Sequence, residues 1–144
     1  MKIILNNIEP FSINKAYYKG TFNRTKELRE WSDRIINQMA TPVNQAIIKE
    51  YKKLLKDKAI GMRIYFFIPH KNFYTKDGSI SIRSKDLSNI EKNLIDLIFG
   101  SKYNVMGLDI DDKNIVDLYS SKRVSSSFKI EIKLKIIKLP EIKK

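Results

Sequence analysis

From Phe128 to Ile136 apolar and charged residues alternate without a break. Phe128, Ile130, Ile132, Leu134 and Ile136 fall on one parity, and Lys129, Glu131, Lys133 and Lys135 on the other. Successive side chains of a strand point to opposite faces, so this run predicts a strand with one buried and one wet face. A sheet built on it carries its helices on one side only. Gly61–Ile68 differs: Met62, Ile64, Phe66 and Ile68 alternate with Arg63, Tyr65 and Phe67, and both parities are fairly apolar. That pattern predicts a central strand covered on both faces and closed by Pro69. Further strand candidates are Lys2–Asn7 and Ile115–Lys122, with Arg123–Ser127 as a hairpin connection.

The remaining segments follow the helical period. Leu28, Trp31, Ile35 and Met39 mark a helix over Thr25–Met39, and Thr41-Pro42 breaks it and starts a second one running to about Asp57. In that second helix Val43, Ile47, Tyr51, Leu54 and Leu55 form the expected apolar stripe. Ser88–Phe99 is a third helix, with Ile90, Leu94, Leu97 and Ile98 toward the core. Between them, Asn72–Lys85 carries the turn signal Lys76-Asp77-Gly78 and reads as a hairpin or extended loop, and Ser101–Ile110 reads as a loop. The expected architecture is α+β: one small domain over residues 1–144, a mixed sheet of about four or five strands with helices packed on one side.

At 144 residues the chain is long enough to bury a core. Its 28 Lys and Arg against 16 Asp and Glu leave a net charge of +12, which favours a polyanionic partner because each neutralised phosphate releases counterions. A solvated lysine-rich surface is the plain alternative. Cysteine is absent, which excludes disulfides and thiolate metal sites, and the single histidine, His70, excludes a histidine zinc cluster and leaves no obvious Ser-His-Asp system. His70 is expected in a surface loop. No segment is long and apolar enough to span a bilayer, and Met1–Leu5 is too short for a signal peptide. The expectation is a cytoplasmic protein, in the host cytoplasm if phage-encoded.

Against this basic background one stretch collects acids: Lys85-Asp86-Leu87-Ser88-Asn89, then Glu91-Lys92, then Asp111-Asp112 beyond a loop. Carboxylates gathered from separate segments suit a hard cation such as Mg²⁺, which takes oxygen ligands and keeps several waters. Each residue also has a structural role open to it. Ser88-Asn89-Ile90-Glu91 is a capping-box pattern, and Asp86 can cap a helix. Lys92 can pair with Asp96 one turn on, and Asp111-Asp112 can close a turn.

The pattern D-L-S-N-x-x-K-x-x-x-D (Asp86–Asp96), followed by G-x-x-x-D-D-x-x-I-V-D (Gly107–Asp117), resembles the RusA family of Holliday junction resolvases. Pro10-Phe11-Ser12-Ile13-Asn14 with Tyr17-Tyr18 is similar to that family's N-terminal P-P-S-x-N segment. The resemblance implies a metal-dependent endodeoxyribonuclease that resolves four-way junctions or other branched DNA in recombination, repair or phage DNA processing, and that works as a homodimer. It implies Asp86, Asp112 and Lys92 as catalytic residues. Mg²⁺, with Mn²⁺ as a substitute, would be held by Asp86 and Asp112, with Ser88, Glu91 and Asp111 as further candidate ligands and Asp109 as an accessory. Asn14, Lys15, Tyr17, Tyr18, Lys76, Arg83, Lys85 and Asn89 are the candidate DNA contacts. Ser88 departs from the family pattern, where a second Asp is usual, and a hydroxyl brings oxygen without charge. The alternative is a non-catalytic or weakly catalytic protein that binds branched nucleic acid on the same scaffold.

Overall fold

In the computed structural model the described residues are 1–11, 25–99 and 110–141. β2 (Ile60–Pro69) forms the centre of a four-stranded mixed sheet. β4 (Lys129–Ile136) lies antiparallel on one side of it, and β3 (Ile115–Ser125) lies parallel on the other. β1 (Lys2–Asn6) closes the order β1-β4-β2-β3 by pairing antiparallel with β4, from Lys2 opposite Lys133 to Asn6 opposite Lys129.

Three long helices cover one face of the sheet. α1 (Lys26–Met39) and α2 (Pro42–Leu55) begin at threonine caps, where the Thr25 and Thr41 hydroxyls accept from the Leu28 and Asn44 amides. α4 (Leu87–Phe99) follows later in the chain. Leu28, Trp31, Ile35 and Met39 of α1 and Ile90, Leu94, Leu97 and Ile98 of α4 meet the inward parity of the strands. That parity comprises Ile3 and Leu5, then Ile60, Met62, Ile64 and Phe66, then Ile130, Ile132 and Leu134. Trp31 is almost fully buried and its indole N–H donates to the Glu9 carbonyl at 2.8 Å, so the largest core side chain leaves no donor unpaired.

The stripe on α2 holds in part. Ile47, Tyr51 and Leu55 pack on the core as expected, but Val43 and Leu54 are 71% and 54% exposed, and Asn44 and Ile48 are buried instead. Asn44 is held there by its side-chain N–H donating to the Gln38 carbonyl at 2.8 Å, so a polar residue fills the seam where the two helices meet. The expected second cover on β2 is also corrected. No helix lies on its other face among the described residues; Tyr65 is buried and Phe67 half-buried by side chains of the neighbouring strands.

Parallel strands need a crossover, and residues 70–114 supply it. The expected hairpin or loop at Asn72–Lys85 is more broken than predicted. A single-turn helix α3 (His70–Phe73) leads into a bridge between Tyr74 and Ile80 around the Lys76–Gly78 turn, and a 3₁₀ turn at Ile82–Ser84 follows. His70 is exposed, with its ring 5.0 Å from that of Tyr74. α4 then runs back against the sheet, and a second 3₁₀ turn (Asp112–Asn114) opens β3. No helix among the described residues is long and apolar enough to cross a membrane.

Candidate functional site

The approach to α4 is built by contacts distant in sequence. Lys122, on the inward parity of β3, sends its ammonium to the Lys85 carbonyl at 2.8 Å and to the Ser84 hydroxyl at 2.9 Å. Ser84 is buried and itself donates to the Ser81 carbonyl. Lys85 takes a left-handed backbone conformation, φ 66°, which a residue with a Cβ adopts only when its surroundings hold it. Its own ammonium donates to the Pro10 carbonyl at 2.6 Å and faces Glu9 at 3.6 Å. Asn93 donates to the Phe11 carbonyl at 2.8 Å. The N-terminal segment is thus fastened along the first turns of α4. The Lys85 ammonium is engaged with the protein at Pro10 and Glu9.

Asp86 follows directly and is exposed. Its carbonyl accepts from the Asn89 and Ile90 amides, which makes it the residue that starts the helix. Ser88 therefore lies inside the first turn and is exposed, so the Ser88–Glu91 capping box does not form. Glu91 instead accepts a short hydrogen bond from the Ser120 hydroxyl of β3. Asn89 is half-buried. Lys92 and Asp96 form an exposed pair at 3.7 Å, as helical spacing predicts.

The second acidic pair stands elsewhere. Asp111 caps the 3₁₀ turn, with its carboxylate accepting from the Lys113 amide at 3.0 Å. That backbone bond, with the Asp112 side chain adding to it, holds the Asp111 carboxyl below the usual aspartate range. Asp111 is thereby occupied as a cap. Asp112 is exposed one residue on, at the start of β3, where Asn114 donates to the Lys58 carbonyl beside the start of β2. Glu91 meets Ser120 and Lys85 meets Lys122, so α4 runs antiparallel to β3 and Asp86 stands near the far end of the strand. The length of strand from Ile115 to Lys122 puts Asp86 and Asp112 more than about 20 Å apart at ~3.3 Å per residue. Among the described residues no three His, Cys, Asp or Glu side chains are grouped to hold a metal ion. Within one chain, on this strand-length reckoning, Asp112 and Asp86 stand at opposite ends of β3. Asp109 lies outside the described residues.

The open sheet face carries cations laid on rings. Arg123 stacks 4.4 Å from the Tyr65 centroid, Lys129 lies 4.4 Å from Phe67, and Lys133 lies 5.5 Å from Tyr65. Arg63 lies over Tyr119, 5.7 Å from its centroid. Glu131 is buried among them and paired with Lys2 at 3.1 Å and Lys133 at 3.6 Å. Burial opposes its ionisation, but the hydrogen bond and charge of Lys2, then Lys133, outweigh that and leave its carboxyl below the usual range. Lys76 is exposed in the Thr75–Ser79 turn, and Arg83 lies in the 3₁₀ turn before α4. Asn14, Lys15, Tyr17 and Tyr18 lie outside the described residues.

Two parts of this arrangement escape sequence reasoning. The Lys122 clamp on Lys85 joins residues 37 apart and has no local signal. The cation-on-ring face did leave one: Arg63, Tyr65 and Phe67 share a parity with Lys129 and Lys133 once β2 and β4 are paired. No curated protein matches the sequence. The family model of endodeoxyribonuclease RusA matches residues 10–135, which include both acidic stretches and all four strands except β1 and the last residue of β4. The chain therefore belongs to the RusA endodeoxyribonuclease family.

Proposed function

We propose that the protein is a Mg²⁺-dependent, structure-selective endodeoxyribonuclease that cuts four-way junctions or other branched DNA. The family match over residues 10–135 carries this reading. It is supported by the position of D-L-S-N-x-x-K at the exposed start of α4, where Asp86, Ser88 and Lys92 are open to a ligand. Bound Mg²⁺ would supply charge neutralisation at the scissile phosphate and an activated water. One chain holds Asp86 and Asp112 at opposite ends of β3.

The chain's own residues have definite tasks in this reading. Lys122 and the left-handed Lys85 fix the backbone from which Asp86 projects. Lys92, held loosely by Asp96, is the cation in reach of a phosphate lying at that helix end. Arg63, Arg123, Lys129 and Lys133 form a second basic surface on the open sheet face, with their planes or stems fixed by rings beneath. Incubation with a synthetic four-way junction, with and without Mg²⁺, tests the proposal. Metal-dependent cutting is expected, and intact DNA at every metal concentration would refute it.

Ser88 favours a second reading, a protein that binds branched DNA and cuts weakly or not at all. A neutral hydroxyl stands where the family pattern has an acid, and it is solvent-exposed rather than engaged in capping. Junction binding without metal-dependent cleavage is the outcome that selects it.

A further inference from the structure

The most exposed large apolar side chain among the described residues stands just before Asp86. Ile82 is 94% exposed, and Ile80, on the same segment, is 65% exposed. Single apolar residues scattered over a surface are ordinary, but here the backbone is tied so that neither side chain can fold under. Ile80 is pinned by its bridge to Tyr74. The Ser81 amide donates to the Phe73 carbonyl at 2.8 Å, and the Ser81 carbonyl accepts from both the amide and the hydroxyl of Ser84. Residues three apart eclipse in a 3₁₀ turn, and Ser81 and Ser84 are the two that are buried. Serines hold the inward places, so Ile82 is left outside. Its carbonyl accepts from the Lys85 amide at 3.0 Å, and Lys122 ties Ser84 and Lys85 to β3. The frame that positions Asp86 therefore also holds Ile82 in water.

A ligand that covers these side chains must be reachable from Asp86 and match the charge around them. Lys71 and Lys76 are exposed on the same segment. Asp77 is its exposed acid, and that carboxylate closes the turn by accepting from the Thr75 hydroxyl and the Ser79 amide. An aliphatic pair on a segment with exposed lysines suits bases flanked by phosphates. Apolar side chains bind DNA by entering between base steps, at the cost of unstacking them. That cost is least where stacking is already interrupted, as at a branch point. In a continuous duplex both faces of each base pair are covered, and Ile82 meets no apolar surface unless a step is pried open.

The geometry points to Ile82, with Ile80 beside it, as the residues that select branched over continuous DNA. They cover the base face left open at a branch point and seat that point against the start of α4. Both act in binding, and neither takes part in the cutting step. The role rests on the proposed action on branched DNA, and it supplies what tells a junction from a duplex.

The Ile80→Ser/Ile82→Ser variant tests this, with binding measured on the full chain without divalent metal so that cutting plays no part. A four-way junction and a linear duplex of equal phosphate content are titrated against wild type and variant. Losing a contact to a base face weakens binding about tenfold, so the junction-to-duplex affinity ratio is expected to fall by about that factor while duplex affinity stays within about twofold. Ile82→Leu keeps the apolar surface and is expected to keep the wild-type ratio. A junction carrying a fluorescent adenine analogue beside the crossover is expected to change its emission on binding the wild type and not on binding the double variant. Both isoleucines are exposed, so the double variant is expected to unfold at the wild-type midpoint. An unchanged ratio overturns the proposal, and so does an equal fall in junction and duplex affinity. A wild type with no preference for the junction overturns it at once. A lower solution mass of the double variant would assign the isoleucines to contact between copies, and overturns it as well. If the wild type prefers junctions but cuts none, the nuclease reading alone fails, and a tenfold fall in the variant still supports the role. If junctions are cut and the variant keeps its ratio, the role alone fails.

Discussion

Replacing Lys122 by Met keeps the length of the stem and removes the ammonium that fastens the start of α4. Two hydrogen bonds are lost, to the Lys85 carbonyl at 2.8 Å and the Ser84 hydroxyl at 2.9 Å. Hydrogen bonds to a charged donor contribute about 1.5–3 kcal/mol each, and the half-buried position of Lys122 puts both toward the lower end. Ser84 keeps its bond to Ser81, so most of the cost falls on Lys85, whose left-handed backbone already carries about 1–2 kcal/mol of strain. A net loss of about 2 kcal/mol is expected. With a urea slope of about 1–3 kcal/mol per molar, the midpoint falls by roughly 1 M. Urea unfolding followed by tryptophan fluorescence reads this through Trp31, the one tryptophan. Measured without DNA, the change owes nothing to phosphate contacts. Under conditions where the variant is fully folded, cleavage of junction DNA is also expected to fall, because Asp86 directly follows the released residue. An unchanged midpoint together with wild-type cleavage would refute the clamp.

Asp86→Asn and Asp112→Asn are each expected to abolish cleavage while changing the unfolding midpoint little, since both side chains are exposed; wild-type cutting by either variant removes that residue from the site. Ser88→Asp is expected to lower the Mg²⁺ concentration for half-maximal cutting, and an unchanged metal titration would show that this position lies outside the site. Junction affinity is expected to fall steeply with salt, because phosphate contacts release counterions; a flat response would argue against DNA as the ligand. Glu131 has its carboxyl held below the usual glutamate range, so its pairs with Lys2 and Lys133 stabilise the fold above that range and cease to do so as the pH falls through the lowered value. Glu131→Gln is expected to flatten the acid limb of the stability curve, and identical acid limbs would refute this role.

The sequence by itself determined the elements and the family. Alternation in Phe128–Ile136 and the 3.6 period in Thr25–Met39 and Ser88–Phe99 are local consequences of which face must leave water, and β4, α1 and α4 follow them. The spacing of Asp86, Asn89, Lys92 and Asp112 carried the resemblance that the family match over residues 10–135 bears out. Local pattern found Ile47, Tyr51 and Leu55 of α2 but missed its seam with α1, which hydrogen-bonded Asn44 fills, because an apolar stripe cannot register a buried amide. It misjudged Ser88 for a related reason: the helix begins one residue earlier, at Leu87. Only the tertiary structure decided which acids are neighbours. The parallel pairing of β2 with β3 forces a crossover, the crossover returns α4 antiparallel to β3, and the two acidic stretches end at opposite ends of one strand. Spacing along a chain is blind to that direction, because strand order and sense are set by which long-range pairings bury the most apolar surface.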